Sequence, residues 1–314
     1  MFYKILDSCK YTVSQSQFVS IDYNSLEKVA KNIVNVNSKH WLENSPFGIL
    51  DFEVEDIVNF LLFYHGMGFS YWGTPKWTIH TEQGDVDGAF AMMYLLIKKM
   101  KEDKKFFTAE YLMSISKEEL RELLKGNVEI PLFEQRYANL VTIGKVVQTE
   151  MGGNFYQFIK DLSSDEELFL LIIDKFSTVF SDVTTYKGEK VYFYKLAQLL
   201  TSDILHIRKL KEKIDVDYTH LLGCADYKIP QVLRSLGILQ YTVELAQLID
   251  NKQEIDKDSE AEIEIRANMI VAIHEISKRT KNICPIEVND LLWLMGQEKN
   301  ENIKPYHLTR TRFY

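Results

Sequence analysis

Glycine and proline are both scarce in this chain of 314 residues, which contains 14 glycines and 6 prolines. Turn-rich β-sandwiches and barrels use these residues at their many chain reversals, so the scarcity disfavours an all-β architecture. Hydrophobic residues make up 46% of the chain, which is enough for a substantial core. The composition therefore predicts a mainly α fold with at most a small β element.

Positive charge is also in short supply. The chain has 37 lysines and arginines against 45 aspartates and glutamates, which gives a formal net charge of −8. Because proteins bind nucleic acids chiefly through clustered Lys and Arg, this balance argues against a large nucleic-acid surface. One small cationic site within an acidic protein is still compatible with it.

The chain has only three cysteines, Cys9, Cys224 and Cys284, and they form neither a CxxC pair nor a His/Cys zinc pattern. We therefore expect no disulfide framework, no metal site and no cofactor. The strongest apolar runs, at residues 57–64 and 168–173, are too short to span a bilayer, and the first residues lack the order of a signal peptide. These absences predict a soluble, cytoplasmic protein without a membrane partner.

Two common catalytic motifs are missing as well. The sequence contains no phosphate-binding loop and no GxSxG nucleophile elbow. Cys224 has no histidine that the sequence can assign to it, so we interpret it as a small packed residue rather than a nucleophile.

Capping residues and apolar spacing predict most of the helices. A serine followed three residues later by glutamate predicts a helix start at Ser116, Ser164 and Ser259. Longer helices are expected at about 24–33, capped by Asn24 or Ser25, and at 191–213, 260–280 and 287–296, the last ending at Gly296. Strand-like alternation is confined to residues 77–80 and, at most, the first twenty residues. No repeat or linker divides the chain, so we expect one domain over residues 1–314.

Residues 223–234, Gly-Cys-Ala-Asp-Tyr-Lys-Ile-Pro-Gln-Val-Leu-Arg, place a carboxylate just ahead of an expected helix start. Proline is favoured in the first helical turn, so Pro230 predicts that a helix begins here. Asp226 would then lie close to the unpaired backbone N–H groups of that turn. Two interpretations stay open at this point: a solvent-exposed helix cap, and a rigidly held catalytic carboxylate.

Two further polar groups are embedded in apolar or aromatic sequence. Lys195, Gln198 and Asp203 fall near one face of a predicted helix, which is either a solvated surface or a buried polar set. In an extended chain, alternation in residues 305–314 would turn His307 to one side and Arg310 to the other. Such a segment suits docking, or the binding of one phosphate group.

Six stretches of the sequence together resemble the queuosine salvage protein family, the queuosine 5′-phosphate N-glycosylases (hydrolases). Residues 225–231, Ala-Asp-Tyr-Lys-Ile-Pro-Gln, are similar to the family's Ala-Asp-Tyr-Arg-Val-Pro-Gln. Residues 191–198 resemble its Phe-Tyr-Lys-Arg-Ala-Gln helix, which continues to an aspartate matched by Asp203. The other stretches are residues 67–72, 131–136, 264–266 and 307–311. Each stretch is short, but all six occur in the family's order and run nearly end to end.

The resemblance implies a helix-rich fold akin to that of DNA glycosylases. The implied reaction is hydrolysis of the N-glycosidic bond of queuosine 5′-phosphate, which releases queuine for salvage into tRNA modification. Asp226 is implied to be the catalytic carboxylate, either as a nucleophile or as an electrostatic stabiliser of an oxocarbenium-like transition state. Queuine is a 7-deazaguanine with no N7 to protonate, so hydrogen bonds to the base edge become part of catalysis.

The resemblance also implies several substrate contacts. The family's base-recognising aspartate falls at Asn289 or Asp290, near Trp293, and which of the two faces the ligand is open. For the 5′-phosphate we expect Lys195, with His307 and Arg310 from the final segment. The other expected contacts are His40, Asp203, Cys224, Tyr227 and Lys228.

The chain departs from the family at two of these positions. Cys224 stands where the family usually has phenylalanine, so an aromatic wall of the base pocket is either missing or supplied elsewhere. Lys228 replaces an arginine. The departure at Cys224, together with Asn289 at the base-recognising position, keeps a non-catalytic deazapurine-binding protein open as an alternative, and the implied fold keeps a DNA-repair glycosylase open. The sequence does not distinguish nucleotide from nucleoside as the substrate.

Overall fold

The structure, a computed structural model, describes residues 1–33, 40–44, 47–82, 84–280, 282–297 and 303–314. Within these residues the chain forms fifteen α helices and six short strands. The helices are α1 (Phe2–Gln15), α2 (Tyr23–Ile33), α3 (Val54–Gly66), α4 (Gly88–Glu102), α5 (Ala109–Ser114), α6 (Lys117–Leu123), α7 (Phe133–Glu150), α8 (Phe155–Ile159), α9 (Asp165–Lys175), α10 (Ser177–Phe180), α11 (Lys195–Glu212), α12 (Lys228–Ser235), α13 (Val243–Asp250), α14 (Glu260–Thr280) and α15 (Pro285–Met295). The strands are β1 (Val19–Ile21), β2 (Thr78–Thr81), β3 (Gly84–Asp87), β4 (Val183–Tyr186), β5 (Glu189–Tyr192) and β6 (Leu239–Tyr241).

The strands form three antiparallel pairs and no larger sheet within the described residues. Two pairs are local hairpins, β2 with β3 and β4 with β5. The third is long-range, because Val19 of β1 pairs with Tyr241 of β6. The prediction of a mainly α fold with a small β element is therefore confirmed. None of the helices in the described ranges is long and apolar enough to cross a bilayer.

Two helices carry most of the core and position the site. Helix α14 is buried along most of its length and packs against α1, α2, α12 and α15. Helix α11 is buried on nearly all sides of its first three turns and packs against α3 and α9. An ordinary amphipathic helix buries its apolar face and exposes its charged residues to solvent. Helices α11 and α14 instead bury several of their charged side chains as well. Those buried charges lead to the candidate site.

Several predicted helix starts are confirmed. Ser116 forms a reciprocal capping box with Glu119, and Ser259 accepts a hydrogen bond from the backbone N–H of Glu262. Helix α15 ends before Gly296, as predicted. Ser164 precedes α9 as expected, but its side chain makes no capping bond.

Other expectations were wrong. The first residues form helix α1 rather than a strand, and their buried positions, Phe2, Ile5, Cys9 and Thr12, have helical spacing. Helix α2 is capped by Asp22, whose Oδ1 accepts from the N–H of Ser25, and not by Asn24 or Ser25. The helix predicted at 191–213 begins only at Lys195, because residues 189–192 pair as β5 and Tyr194 adopts a left-handed φ of 49°.

Candidate active site

A cavity of about 440 Å³ opens between α3, α11, α12, α15 and the β2–β3 hairpin. Aromatic side chains make up much of its wall, and the rest of the lining is strongly polar. This combination is typical of small-molecule sites, which pair an apolar body with a few placed polar groups. The charged, amide and imidazole side chains that line it are His65, Lys76, Asp85, Asp87, Lys195, Asp226, Lys228, Asn289, Asp290 and Gln297.

Asp226 stands at the start of α12 and faces this cavity. Its Oδ1 accepts hydrogen bonds from the backbone N–H groups of Lys228 and Ile229, both at 3.0 Å. Pro230 lies in the first helical turn, where its missing N–H costs no hydrogen bond. Asp226 is thus a helix cap, but a buried one, with 7% of its surface exposed. The carboxylate is held rigidly where a ligand in the cavity can reach it.

Among the neighbouring charges, Lys195 has the largest effect on the pKa of Asp226. It is the first residue of α11, is buried, and lines the same cavity. Burial raises the pKa of the Asp226 carboxyl, while the positive charge of Lys195 and the two backbone hydrogen bonds lower it. Lys195 and the helix start therefore oppose desolvation and favour the ionised form of Asp226.

The segment that precedes Asp226 is fixed by side-chain amides. Gln198 donates to the carbonyl of Gly223 at 3.0 Å and accepts from the N–H of Leu222 at 2.8 Å. Gly223 has a φ of +118°, and a Cβ there would lie 3.2 Å from Ile273. Only glycine adopts this conformation readily, so the turn before Asp226 depends on it. Gln198 is a positioning residue of the buried polar set.

A buried ion pair joins the turn before Asp226 to the start of α11. Arg266 of α14 forms a bidentate pair with Asp182 and donates to the carbonyl of Ala225 at 3.1 Å. Asp182 in turn accepts from the backbone N–H of Lys195 at 3.2 Å. Arg266 therefore ties the turn before Asp226 to the start of α11. The i,i+4 spacing of Glu262 and Arg266 accounts only for their own pairing at 3.5 Å and does not reveal this second role of Arg266.

Asn289 and Asp290 both line the cavity from α15, but their side chains do different things. The Oδ1 of Asn289 accepts from the backbone N–H of Cys224 at 2.7 Å, and its amide nitrogen donates to Asp290 at 3.2 Å. Asn289 thus braces the turn before Asp226. Burial, and then the charge of Asp203, raise the pKa of Asp290 to about 8. At neutral pH Asp290 is protonated and able to donate a hydrogen bond.

Asp203 does not line the cavity itself but contacts side chains that do. Its two oxygens accept from Trp41 Nε1 at 2.8 Å and contact His65 Nε2 at 2.7 Å. His40 lies beside it, with Nε2 3.4 Å from Asp203 and 3.6 Å from Asp290. Burial raises the pKa of Asp203 and lowers that of both histidines, so desolvation opposes the charged form of each group. Asp203 and His40 position the wall residues Trp41, His65 and Asp290.

Trp293 of α15 forms part of the aromatic wall. Trp41 and Phe90 meet it edge to face, with ring centroids 5.7 and 5.6 Å apart. Tyr227 packs against Tyr306 at 4.9 Å on another side of the cavity. The aromatic surface is therefore present although Cys224 replaces phenylalanine. Burial raises the pKa of the Cys224 thiol, which favours the packed residue expected from the sequence over a thiolate nucleophile.

A sequence profile of the queuosine salvage protein family matches residues 50–314. The chain belongs to this family. Among curated relatives, queuosine 5′-phosphate N-glycosylase/hydrolase of Sphaerobacter thermophilus is 31% identical and covers 99% of this chain and 97% of its own length. The proteins of the same name from Dictyostelium discoideum and Mus musculus are 25% and 24% identical, over 95% and 98% of both chains.

In this member of the queuosine salvage family, two of the expected phosphate contacts lie away from the cavity. Arg310 points outward, pairs with Glu254 at 3.1 Å and stacks on Trp72. His307 is buried against Tyr314, and burial lowers its pKa to about 3, so it carries no charge at neutral pH. The predicted alternation is present, since His307 is buried and Arg310 exposed. The cavity does not receive either side chain, because this alternation sends Arg310 to solvent and His307 to the core.

Two other lysines line the cavity instead. Lys228 lies over the ring of Tyr306, 5.5 Å from its centroid, and 3.3 Å from Gln231. Lys76 precedes the β2–β3 hairpin and pairs with Asp87 at 2.7 Å. Burial, and then the charge of Lys76, lower the pKa of Lys228, which indicates two cations close together. No sequence motif includes Lys76, and the only prediction near it is the strand-like alternation at residues 77–80.

The described residues contain one cluster with metal-ligand chemistry, and it lies outside the cavity. Asp165, Asp217 and His220 bring their ligand atoms within 4.8 Å of one another. Asp165 already accepts from the backbone N–H of His220 at 2.9 Å and contacts its ring at 3.0 Å. These contacts give the cluster a structural role, because they hold the segment after α11 against the start of α9.

Proposed function

We propose that this protein hydrolyses the N-glycosidic bond of queuosine 5′-phosphate and releases queuine. The observation that carries the proposal is the buried carboxylate of Asp226, capped by two backbone donors and facing a cavity that also contains Lys195 and Asp290. The name shared by the relatives, which align over nearly the whole chain, supports the same activity. We place the reaction in the cytoplasm, with a small molecule rather than nucleic acid as its substrate.

Asp226 supplies the stabilising charge. As the bond between C1′ and the base nitrogen breaks, its electron pair goes to the base and positive charge develops on the ribose. A preorganised group aimed at such charge is worth about 3–4 kcal/mol, or roughly 10²–10³ in rate. Asp226 fits this role either as a nucleophile that bonds to C1′ or as a fixed charge below it.

Asp290 serves the leaving base. A 7-deazaguanine has no N7 to accept a proton, so its departing electron pair must be stabilised at another edge. A protonated carboxyl in the cavity wall can donate to that edge, and burial together with Asp203 keeps Asp290 protonated at neutral pH. The two carboxyls thus have different environments that push them towards different protonation states, as acid and base pairs in enzymes require.

Lys228 and Lys76 hold the 5′-phosphate, with Lys195 deeper in the cavity. We assign the phosphate to these lysines rather than to His307 and Arg310, because neither of those residues lines the cavity. Phosphate groups bind best to several cationic donors at once. The Lys76–Asp87 pair is exposed and exchanges readily for a phosphate, since surface ion pairs contribute little.

The test is direct incubation of the purified protein with queuosine 5′-phosphate, followed by mass spectrometry for free queuine. Release of queuine and ribose 5-phosphate in equal amounts is the expected result, and a parallel reaction with the nucleoside queuosine measures the preference for the phosphate. Tight binding without release would identify a deazapurine-binding protein instead. Base removal from damaged duplex DNA, with no release from the nucleotide, would identify a repair glycosylase.

A further inference from the structure

A second cavity, of about 230 Å³, lies on the other side of Asp290. Asp290 lines both cavities, and its Oδ2 lies 3.6 Å from Nε2 of His40, which lines the second. Eight of the ten described residues that line the second cavity have polar side chains. Water occupies about 30 Å³ per molecule in the liquid, so a polar space of this size accommodates several. The polar lining residues are His40, Glu43, Ser202, His206, Lys209, Tyr218, Glu287 and Asp290.

A chain of titratable side chains runs along this second cavity from the surface to Asp290. Glu43 is about one-third exposed, and its carboxylate lies 3.0 Å from His206 Nε2. The ring of His206 stacks on that of His40 at 3.8 Å. The Nδ1 of His40 accepts from the N–H of Leu42, so Nε2 carries its proton and points to Asp203 and Asp290.

The proposed reaction leaves Asp290 short of one proton in every turnover. When Asp290 gives its proton to the departing base, it becomes a carboxylate. The attacking water adds its oxygen to C1′ and gives one proton to Asp226; if Asp226 has bonded to C1′, that bond breaks in the same step and its electron pair returns to the carboxylate. Water has been split between ribose and base, and two carboxyls have exchanged protonation states. Asp226 can lose its proton through the mouth of the main cavity as the ribose leaves, whereas the front of Asp290 is covered for as long as queuine stays bound, so until then Asp290 needs a new proton from another direction.

We propose that the second cavity supplies protons to Asp290 from solvent, through water molecules held by its polar lining, with Glu43 and His206 as the outer pair that takes them up. This inference rests on the proposed N-glycosidase activity. Queuine in the main cavity would block the front of Asp290, whereas the second cavity reaches it from behind. Glu43 and His206 touch neither substrate nor reacting atoms, so they are positioning residues that act through Asp290.

The charges around this route fit proton uptake. Burial lowers the pKa of His206, and the carboxylate of Glu43 opposes that effect. Lys209 on the same helix also lowers it, and Glu287 from α15 raises it. A histidine with these neighbours passes protons without staying charged.

The decisive variants are Glu43→Gln and His206→Gln, which keep side-chain size. Asp290 starts protonated, so the first turnover should run at the wild-type rate. Later turnovers should be slow, since general acid catalysis is worth about 10²–10⁴ in rate and Asp290 would refill slowly. Rapid-quench measurement should therefore show a burst of one queuine per active site, followed by a steady state at least about tenfold slower. Imidazole should restore the steady state of His206→Ala and leave the wild type unchanged.

A blocking variant tests the route itself. Ser202→Val adds carbon to the second cavity and leaves the main cavity unaltered, so it should produce the same burst. Thr201→Val is the matched control, because the neighbouring Thr201 is buried in the same helix and lines neither cavity. It should show no burst and keep the wild-type steady state.

The outcomes separate this inference from the proposed function. If the wild-type protein releases no queuine, the proposed function fails. If the wild type is active and the variants show no burst and keep the wild-type steady state, the proton route is refuted while the function stands. A slower first turnover, or a lower melting temperature with a raised KM, would assign the cavity a purely structural role and also refute the route.

Discussion

Replacing Asp226 with asparagine removes the proposed catalytic charge and little else. Both backbone hydrogen bonds to Asp226 end on Oδ1, from Lys228 and Ile229, and the amide oxygen of asparagine accepts both. The side chain keeps its size in a site that is 7% exposed. Asparagine is as good a helix cap as aspartate, so the fold and the cavity should be preserved.

The expected loss follows from the environment of the carboxylate. A preorganised charge at a developing cation is worth about 3–4 kcal/mol, so kcat should fall roughly 10²–10³-fold. The loss should reach the upper end of that range because Lys195 remains beside the site. Without Asp226, the charge of Lys195 is no longer balanced and opposes positive charge on the ribose. Binding of the nucleotide should change much less than kcat, since the oxocarbenium charge exists only in the transition state.

The assay is a single-turnover measurement of queuine release, with the dissociation constant of the nucleotide measured by calorimetry. The matched control is Asp22→Asn, the same chemical change in another helix-capping aspartate, at α2 and outside the cavity. The control should retain wild-type activity. Asp226→Ala should lose activity similarly and also about 1 kcal/mol of stability, because it loses the cap. Wild-type turnover by Asp226→Asn would refute the reasoning.

Three further predictions follow from the site. The kcat should fall as the pH rises through about 8, where Asp290 loses its proton, and Asp290→Asn should lower kcat by about 10²–10⁴ and remove this alkaline decline, because an amide neither transfers a proton to the base nor titrates. Lys228→Met should raise KM for queuosine 5′-phosphate and not for queuosine, whereas Arg310→Ala should alter neither, and equal effects on both substrates would contradict the phosphate assignment. Gln198→Leu should lower the free energy of unfolding by about 1–3 kcal/mol, measured by urea denaturation, because it leaves buried backbone groups unpaired.

The helices were predictable because their signals are local. Capping boxes and apolar spacing gave the starts of α6 and α14 and the end of α15. The start of α11 was not predictable in the same way, because the apolar spacing of residues 191–213 does not show that residues 189–192 pair with β4 or that Tyr194 adopts a left-handed φ. Helix α1 was missed although its buried residues repeat with helical spacing.

The site was only partly predictable, since its parts are distant in sequence. The resemblance led to Asp226, Lys195 and Asp290, which the fold brings to one cavity. The spacing of Arg266 and Glu262 predicts only an ordinary i,i+4 pair, because sequence alone cannot show that Asp182 faces Arg266 across the core. Lys76 belongs to no sequence motif, and its position at the cavity follows from the β2–β3 hairpin that comes after it.

The sequence left helix cap and catalytic carboxylate as rival explanations of Asp226, and in the proposed function they are one arrangement. A carboxylate in a buried cavity tends to take up a proton, which would remove the charge that the reaction needs. The two N–H groups at the start of α12 stabilise the ionised form and fix its orientation at the same time. Within the described residues no hydrogen bond reaches its Oδ2. Capping with one oxygen therefore prepares the other to face the ribose.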